Sequence, residues 1–590
     1  MSDKLIVMLS TEGTYPFHQG GVSTWCDILV KQLKEVDYVI YSVLMDPFVT
    51  QKFKLPESTG LIKMPLWGTE EPSEHLSTPF SQNYMAKKRT TRAVVKERFI
   101  PLFTELIEEF LAVDKDHERL ARVMLELHLY FQTYEYKTSF KTEEAWNTYK
   151  HIVFRHHADG RSKLARPDLY CLIQSLGWVY RFMNILNTPI PKAHVTHASA
   201  AAFCGIPCVL AKLKNGTPFL LTEHGIYLRE QYLSLGKREY STFLNTFLIR
   251  MIHSVTGVNY AYADQVSPVC RYNTRWEQKF DVPPDRIQVI YNGVDKNVFT
   301  EAPRVERERP TVVTVARIDP LKDILTLIKS AALVKAAVPD VRFIIYGSVS
   351  VPAYYQECLE LRDKLELADT VEFAGHTSNM AAAYHSGDVI ALSSISEAFP
   401  YSVVEAMMTG KPCISTDVGG IREAVGDAGI MVDPRDYEAM AEGIVKLLND
   451  GELRAALGEE GRERALSYFT LQRVLELHLK SYIKLATRGD VRTARPAPAA
   501  EFPAESRSAR LARKRTLMER GYAFAAAGAY ENAIRHYHLA VMEEPESAAT
   551  PVLLMEIAEC YNRLGKYDKA FATLEKQEAL ALLQNARPSA

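Results

Sequence analysis

Short apolar runs alternate with helix-like patterns over two long stretches of the chain. In the first, the run KLIVML at Lys4 is followed by apolar residues at helical spacing from Ser23 to Lys34 and then by YVIYSVLM. A second series starts near Pro310, where TVVTVARI, VRFIIYGS, VEFAG, VIALSS and CISTDV each precede a helical stretch. Runs rich in Val and Ile without alternation are typical of strands buried on both faces of a parallel sheet. The pattern predicts two doubly wound α/β domains.

Two other segments have helical patterns without strands. Amphipathic stretches such as RFIPLFTELIEEFLAV predict a helical insertion at about residues 87–187. A segment rich in Pro, Ala, Arg and Ser near residues 488–509 predicts a flexible linker. Beyond it, a Gly-x-Tyr-x-x-Ala pattern occurs at Gly528 and again at Gly565, 37 residues later. This resembles a tetratricopeptide pair, with a plain helical hairpin as the alternative.

A chain of 590 residues is expected to form about three to four domains. We expect a first Rossmann-like domain over residues 1–300, a second over 301–487, the linker over 488–509 and an all-α helical-repeat tail over 510–590. The two α/β domains are predicted to face a cleft, with ligands at the carboxyl ends of the strands.

Composition excludes several classes of partner. The formal net charge is −2, so nucleic acid is not an expected partner. No run of 18 apolar residues indicates a transmembrane helix, and the N-terminal apolar run is too short for the core of a signal peptide. The eight scattered cysteines are interpreted as small buried residues in a reducing compartment. We therefore expect a cytoplasmic protein. Peripheral association with a membrane synthase complex is compatible with this expectation.

The segment SSISEAFPYSVVEAMMTGKP carries the most specific chemical pattern. Glu397 follows the strand VIALSS, and Glu405 lies on the next helix, which is predicted to start near Ser402. Both carboxylates would accept hydrogen bonds from diols such as a sugar and a ribose. The helix N-terminus and the loop Ala398, Phe399 and Pro400 would add backbone N–H groups for an anion.

Two cations follow the strand TVVTV. Arg317 and Lys322 lie five residues apart at the start of a predicted helix. Cations at a helix N-terminus oppose the helix dipole, which indicates an anion between them. They would clamp a diphosphate and neutralise a leaving group.

Three other strand ends carry polar residues. His224 follows PFLLT, and a neutral imidazole there would bind a sugar hydroxyl. His197 in VTHAS is expected to be structural. Asn292-Gly293 in VIYNGVDKNVF is interpreted mainly as a turn on the floor of the cleft.

A Gly-Gly pair lies between the first strand and the first helix, in EGTYPFHQGGVSTW. Without a Cβ atom, Gly20 and Gly21 let a ligand approach the backbone closely. Ser23 is a candidate N-cap of the helix, and its N-terminus would form one side of a diphosphate site. The segment from Glu12 to Pro16 has no assigned role.

The ordered set of the Gly-Gly helix start, TEHG, NGVD, R-x4-K and E-x7-E resembles the GT-B retaining glycosyltransferases of family GT4, over about residues 1–485. EGTYPFHQGGVSTW, MPLWGTEEP and GTPFLLTEHGIYLREQYL are similar to the Pel-type exopolysaccharide branch. The helical tail departs from the core family. The resemblance implies catalytic roles for His224, Arg317, Lys322 and Glu397.

It further implies donor binding by other residues at the cleft: Gly20, Gly21, Asn292, Ala398, Phe399, Pro400 and Glu405. It implies no cofactor and no metal.

The expected function is transfer of a sugar from a nucleotide diphosphate sugar, UDP-linked by preference, to an acceptor hydroxyl, with exopolysaccharide synthesis as one setting. The acceptor is open between a glycan, a lipid-linked sugar, a small molecule and a protein. The alternative is a non-catalytic nucleotide-sugar-binding scaffold that acts through its tail. Residues 510–590 are expected to bind a protein partner or a second copy of the chain.

Two other enzyme classes are disfavoured. A nicotinamide-dependent dehydrogenase is disfavoured because HQGGVS lacks G-x-G-x-x-G. A phosphorylase is disfavoured because no pyridoxal-binding lysine is identified.

Overall fold

The computed structural model of the chain describes residues 4–45, 48–66, 80–301, 307–488, 507–543, 549–567, 569–570 and 572–574. Contacts divide the chain into two compact units. The first comprises Met1–Thr222, Tyr227–Val266 and Leu479–Ala590, and the second comprises Glu223–Ile226 and Ser267–His478. Within the described ranges, no helix has both the length and the apolar content needed to cross a bilayer.

The first sheet has six strands in the order β3-β2-β1-β4-β5-β6. Its strands are β1 (Leu5–Glu12), β2 (Val36–Leu44), β3 (Gly60–Pro65), β4 (Val195–Ala198), β5 (Phe219–Glu223) and β6 (Gln265–Pro268). The pairs β1–β2, β1–β4, β2–β3 and β4–β5 are parallel. The chain moves outward from β1 in one direction and then in the other, as in a doubly wound fold. The predicted parallel α/β arrangement is confirmed in this sheet.

Helices cover this sheet and form the predicted helical stretch at 87–187. They are α1 (Gly21–Gln32), α2 (Phe80–Arg89), α3 (Arg92–Val94), a π-helical turn (Val95–Phe99), α4 (Ile100–Leu111), α5 (His117–Phe131), α6 (Tyr136–Phe140), α7 (Glu143–Ala158), α8 (Leu169–Phe182), α9 (Ile206–Asn215), α10 (Tyr227–Leu235) and α11 (Thr242–Tyr262). The amphipathic patterns read from the sequence therefore correspond to helices rather than strands.

The carboxyl end of α4 is held by two cations. Lys115 Nζ donates to the carbonyl oxygens of Glu109 and Phe110 at 3.1 and 3.0 Å. Arg250, on α11, donates to the carbonyl oxygen of Leu111 at 2.8 Å and to both oxygens of Ser162. The last carbonyls of a helix lack partners within the helix, and cations there also complement its dipole. These bonds join α4, α11 and the loop before α8.

The second sheet has the order β12-β11-β10-β7-β8-β9, and every pair with a determined register is parallel. Its strands are β7 (Thr311–Val315), β8 (Arg342–Tyr346), β9 (Val371–Gly375), β10 (Val389–Leu392), β11 (Cys413–Thr416) and β12 (Gly429–Val432). Its helices are α12 (Thr274–Lys279), α13 (Ile324–Ala337), α14 (Pro352–Lys364), α15 (Met380–His385), α16 (Tyr401–Met408), α17 (Ile421–Val425), α18 (Tyr437–Asn449), α19 (Gly451–Tyr468) and α20 (Leu471–Arg488). The second predicted parallel sheet is confirmed.

Both faces of the second sheet are buried. Val313 belongs to an apolar cluster that includes Phe399 and Val403, whereas the adjacent Val312 belongs to the cluster formed with α13 and α18. Successive residues of a strand point to opposite faces, so a strand covered on both sides must be apolar at every position. This explains why the apolar runs of the sequence show no alternation of apolar and polar residues.

Three helices form the described part of the tail: α21 (Arg507–Ala526), α22 (Tyr530–Glu543) and α23 (Thr550–Arg563). Gly528 and Gly565 both adopt positive φ, and Ala533 and Ala570 are both buried. Tyr567, the tyrosine of the second copy of the pattern, is 70% exposed. The tetratricopeptide-like repeat stays a prediction, and residues 489–506 of the predicted linker lie outside the described residues.

All eight cysteines are free and buried, in agreement with the interpretation from the sequence. These side chains therefore pack as small apolar residues of the core.

Replacement of Arg250 by Met is expected to destabilise the first unit by about 2 kcal/mol, because carbonyl oxygens at the end of α4 lose a charged donor. Urea unfolding followed by circular dichroism measures the change. The control is Arg122→Met, since Arg122 lies on the surface of α5 with its side chain 52% exposed. That variant is expected to change stability by less than about 0.5 kcal/mol. Equal stability of the two variants would contradict the capping role of Arg250.

Candidate functional site

The predicted cations lie on the loop between β7 and α13. Arg317 is exposed and forms an ion pair with Asp319 at 3.3 Å. Lys322 ends a short 3-10 turn, Pro320–Lys322, and α13 starts two residues later at Ile324. The turn is stabilised by Asp319 Oδ1, which accepts from the N–H of Leu321 at 2.9 Å. The prediction that both cations lie at the start of a helix is confirmed, and the 3-10 turn orients the backbone at Lys322.

Lys322 is not an isolated cation. Its Nζ forms an ion pair with Oε1 of Glu397, which lies on the loop after β10. The same carboxylate oxygen accepts a hydrogen bond from Ser394 Oγ at 2.8 Å. Strands β7 and β10 are neighbours, so the parallel sheet brings their carboxyl ends to one edge. The structure thus brings together two residues that are 75 positions apart in the sequence.

Main-chain contacts hold these two loops in register. Ser393 Oγ donates to the carbonyl oxygen of Lys322, and the N–H of Ile395 donates to that of Leu321, both at 2.9 Å. Because the backbones are joined on both sides of the ion pair, Lys322 and Glu397 are positioned by their loops as well as by each other.

A second Gly-Gly pair supports the Glu397 loop and was missed in the sequence. Gly419 has a φ of +60°, and a Cβ atom there would lie 1.6 Å from the carbonyl oxygen of Glu397. The N–H of Gly420 donates to the carbonyl oxygen of Ala398 at 2.8 Å. The signal was available: a Gly-Gly pair follows the strand CISTDV in the same way that one follows the first strand.

Glu405 lies one turn into α16, which starts at Tyr401, next to the predicted Ser402. Tyr384 Oη donates to Glu405 Oε2 at 2.6 Å, and Oε1 has no hydrogen-bond partner among the described residues. Burial raises the pKa of Glu405. Tyr384 therefore fixes the orientation of the carboxylate through Oε2, and Oε1 is left as a hydrogen-bond acceptor. Sequence reasoning missed Tyr384.

The loop from Ala398 to Pro400 joins Glu397 to α16. Phe399 is buried against Tyr291 and Phe469, each with ring centroids 5.3 Å away. In the part of the chain that the structure describes, no hydrogen bond engages the N–H of Ala398 or Phe399. The aromatic contact fixes the loop and leaves these donors for a ligand.

His224 directly follows β5, as predicted. Burial lowers its pKa to about 3, and burial together with His224 lowers the pKa of His478 to about 3. His224 is therefore neutral at pH 7, in the form that both donates and accepts hydrogen bonds. His197 is structural, since its two ring nitrogens contact Tyr482 Oη at 2.8 Å and Thr222 Oγ1 at 2.7 Å.

The turn predicted at Asn292-Gly293 is wrong. Val294 instead exchanges hydrogen bonds with Phe469 and Leu471, at 2.9 and 2.8 Å. A Cβ atom on Gly293 would lie 2.9 Å from the carbonyl oxygen of Thr470, so this glycine permits a close backbone approach. Asn292 is 5% exposed, and its Oδ1 has no hydrogen-bond partner in the described ranges.

Gly20 and Gly21 are exposed at the start of α1, in the first unit. A Cβ atom on Gly20 would meet no atom within 4 Å, so the backbone there is open to a ligand. The N-cap prediction for Ser23 is wrong: α1 already starts at Gly21, and Ser23 is buried inside the first turn. The helix therefore starts at the Gly-Gly pair, with no side-chain cap, and its first N–H groups lack partners within the helix.

The segment from Glu12 to Pro16 has a supporting role. Glu12 accepts from Tyr227 Oη at 2.8 Å and from the N–H of Cys204 at 3.2 Å. The carbonyl oxygen of Tyr15 accepts from Thr11 and Ser42 at 2.9 and 3.1 Å. These bonds attach the end of β1 to the start of α10, which follows the His224 loop in sequence.

Replacement of Gly419 by Ala is expected to destabilise the second unit by more than about 2 kcal/mol, since the methyl group meets the Glu397 backbone and the positive φ disfavours Ala. Thermal unfolding measures the effect. The matched control is Gly451→Ala at the start of α19, where the nearest atom to a Cβ is 3.6 Å away. We expect that change to be neutral or slightly stabilising. An unchanged melting temperature for Gly419→Ala would contradict the proposed packing.

Comparison with known protein families gives two consecutive matches. Residues 5–285 match the model described as "Domain of unknown function (DUF3492)", and residues 295–464 match "Glycosyl transferases group 1". The second match contains Arg317, Lys322, Glu397 and Glu405. The second α/β region is therefore a glycosyltransferase group 1 domain.

Individual proteins agree with this assignment. The chain is 32% identical to D-inositol 3-phosphate glycosyltransferase of Corynebacterium glutamicum (strain R) over 207 residues, which cover 32% of this chain and 50% of that protein. It is 26% identical to N-acetyl-alpha-D-glucosaminyl L-malate synthase of Bacillus anthracis over 301 residues, 49% of this chain and 73% of that protein. The chain spans about half the length of the inositol 3-phosphate enzymes that it matches.

Among solved structures, the sucrose-phosphate synthase of Thermosynechococcus elongatus superposes with a TM-score of 0.50 at 17% identity, covering 82% of this chain and 99% of that chain. This likeness concerns the fold alone, and it supports a GT-B fold of two Rossmann-like domains, as expected from the sequence.

Proposed function

We propose that the chain is a retaining glycosyltransferase that moves a sugar from a nucleotide diphosphate sugar to an acceptor hydroxyl. The observation that carries the proposal is the Lys322–Glu397 pair at the carboxyl ends of β7 and β10, inside a glycosyltransferase group 1 domain. A cation for phosphate and an acceptor for sugar hydroxyls then lie side by side.

Each residue has a role in this proposal. Lys322 and the exposed Arg317 bind the phosphates, and Glu397 accepts from hydroxyls of the transferred sugar. Glu405 accepts from the ribose through Oε1. The N–H groups of Ala398 and Phe399 donate to the anion, with the start of α16 adding partial positive charge.

The proposed reaction is a front-face displacement. No carboxylate is assigned as a nucleophile, so the acceptor hydroxyl attacks the anomeric carbon while the bond to the leaving phosphate breaks, and that phosphate receives the proton. Lys322 and Arg317 stabilise the negative charge that develops on the leaving group. His224, neutral because it is buried, donates a hydrogen bond to the sugar. No metal or other cofactor is proposed. For Gly20, Gly21 and Asn292 the donor-binding role stays a prediction.

The donor is proposed to be a UDP-sugar and the setting exopolysaccharide synthesis, on the Pel-type resemblance of the motifs. Of the motif MPLWGTEEP, residues 67–72 lie outside the described residues. The two relatives are named for different compounds, inositol 3-phosphate and malate, so their names do not point to one acceptor for this chain.

A donor screen tests the proposal. Thermal shift with UDP-, GDP- and ADP-sugars is expected to show stabilisation by one base, followed by transfer products with retained anomeric configuration. Binding without hydrolysis or transfer would instead favour the scaffold function, and absence of binding to every nucleotide would refute the proposed site.

Replacement of Lys322 by Ala is expected to lower kcat by about 10²–10³ while the fold stays intact, because the leaving phosphate loses its closest cation. The measurement is initial rate with the donor found in the screen, alongside the melting temperature. Lys364→Ala, on the exposed surface of α14, is the matched loss of one positive charge and is expected to be neutral. Near-normal turnover of the Lys322 variant would reject the assignment.

Replacement of Glu405 by Gln is expected to weaken binding of the nucleoside diphosphate about tenfold, since a charge-assisted bond to the ribose becomes a neutral one. The matched ligand is the 2′,3′-dideoxy nucleoside diphosphate, whose affinity is expected to change little. Titration calorimetry with both ligands forms a double-mutant cycle. Equal losses for the two ligands would show that Glu405 does not bind the ribose.

A further inference from the structure

A buried tyrosine reaches the carboxylate of Glu405 from a neighbouring helix. Tyr384 lies on α15 and is 0% exposed, and its Oη donates to Glu405 Oε2 at 2.6 Å. Its ring belongs to an apolar core cluster and packs edge-on against Phe299, with ring centroids 6.0 Å apart. A phenylalanine ring would make the same apolar contacts. The core therefore explains the ring of Tyr384 but not its hydroxyl group.

Both ends of α15 are anchored without this hydroxyl group. At the start of the helix, Asn379 Oδ1 accepts from a backbone N–H of the first turn at 3.1 Å. At its end, Nε2 of His385 contacts the carbonyl oxygen of Thr300 at 3.0 Å, and Arg307 donates to the carbonyl oxygen of His385. Because these bonds fix the helix, Tyr384 approaches its acceptor from a rigid support.

Glu405 depends on this one contact. Within the described ranges, the carboxylate has no ion-pair partner, and Tyr384 is its single side-chain hydrogen-bond donor. Glu405 is half-buried, so a ligand can reach it. An ionised carboxylate has about four acceptor positions. Since Tyr384 uses one position on Oε2, both positions on Oε1 remain for the hydroxyl groups of a ligand.

A phenol that donates to one oxygen changes a carboxylate in two ways. It fixes the rotation of the carboxyl group, because one orientation keeps the hydrogen bond. It also favours the ionised form and so opposes the burial that raises the pKa of Glu405. A charged acceptor with a fixed direction discriminates between a ligand that has the matching hydroxyl group and one that lacks it.

We propose that Tyr384 is a positioning residue for the donor, which holds Glu405 so that the site selects a nucleotide with ribose hydroxyl groups over one without them. The inference rests on the proposed function, in which Glu405 binds the ribose. Tyr384 acts through the carboxylate and does not touch the nucleotide. Loss of its hydroxyl group therefore weakens binding only of ligands that carry the ribose hydroxyl groups.

Titration calorimetry of Tyr384→Phe tests the proposal with two ligands, the nucleoside diphosphate of the base found in the donor screen and its 2′,3′-dideoxy counterpart. Affinity for the ribonucleotide is expected to fall about fivefold, because the acceptor loses its fixed direction, while affinity for the dideoxy ligand changes less than about twofold. Equal losses for the two ligands would show a general structural role and would overturn the proposal, as would unchanged affinity for both.

Tyr149→Phe is the matched control. Tyr149 is also 0% exposed, and its hydroxyl group contacts Ser175 Oγ at 2.5 Å in the helical stretch of the first unit. This variant loses one buried phenol hydroxyl group and is expected to bind both ligands like wild type, and melting temperatures verify that both variants are folded. A loss specific to the ribonucleotide in this control as well would overturn the assignment to Tyr384.

A double variant shows whether Tyr384 acts through Glu405. The loss of ribonucleotide affinity in Tyr384→Phe/Glu405→Gln is expected to equal that in Glu405→Gln alone, and additive losses would overturn the proposal. In the transfer assay, Tyr384→Phe is expected to raise KM for the donor about fivefold and to change kcat less than about twofold, because the ribose contact is the same in the ground state and the transition state. A fall in kcat with unchanged KM would contradict a role in donor binding.

The behaviour of the wild type separates this inference from the proposed function. If no nucleoside diphosphate binds the wild type, both are refuted. If the wild type prefers the ribonucleotide and Tyr384→Phe keeps that preference in full, the role of Tyr384 is refuted and the proposed function stands.

Discussion

The ion pair between Lys322 and Glu397 is the interaction on which the candidate site depends. It joins the ends of two neighbouring parallel strands, and backbone bonds on either side of it keep the loops in register. An ion pair of this kind is weak evidence of stability, because desolvation offsets the attraction. What distinguishes it is its place: a positive and a negative side chain, 18% and 12% exposed, lie together at the carboxyl ends of two parallel strands.

Close backbone packing makes this arrangement possible in two places. A Cβ atom on Gly347 would lie 1.9 Å from the carbonyl oxygen of Ala316, directly before Arg317, and one on Gly419 would lie 1.6 Å from the carbonyl oxygen of Glu397. Side chains at these positions would push the loops away from the sheet edge. The glycines therefore allow the loops that carry Arg317 and Glu397 to pack closely, although glycine loses more backbone entropy on folding than other residues.

Burial shifts the pKa of several groups in the second unit. It lowers the pKa of His224 and His478, so that both are neutral at pH 7, and it raises the pKa of Glu405. Perturbed groups of this kind concentrate at functional sites. His224 directly follows β5, and Glu405 lies on α16, the helix that follows β10, in keeping with the general rule for ligand sites in parallel sheets.

The sequence by itself determined the parallel α/β character, the helical stretch before β4 and the strand-end positions of His224, Lys322 and Glu397. These features depend on local periodicity and on which residue follows an apolar run. Only the tertiary structure decided which strand ends are neighbours, because strand order is a property of long-range pairing. The tertiary structure alone therefore joined Lys322 to Glu397 and Tyr384 to Glu405. It also replaced the turn expected at Asn292-Gly293 with a close backbone pairing.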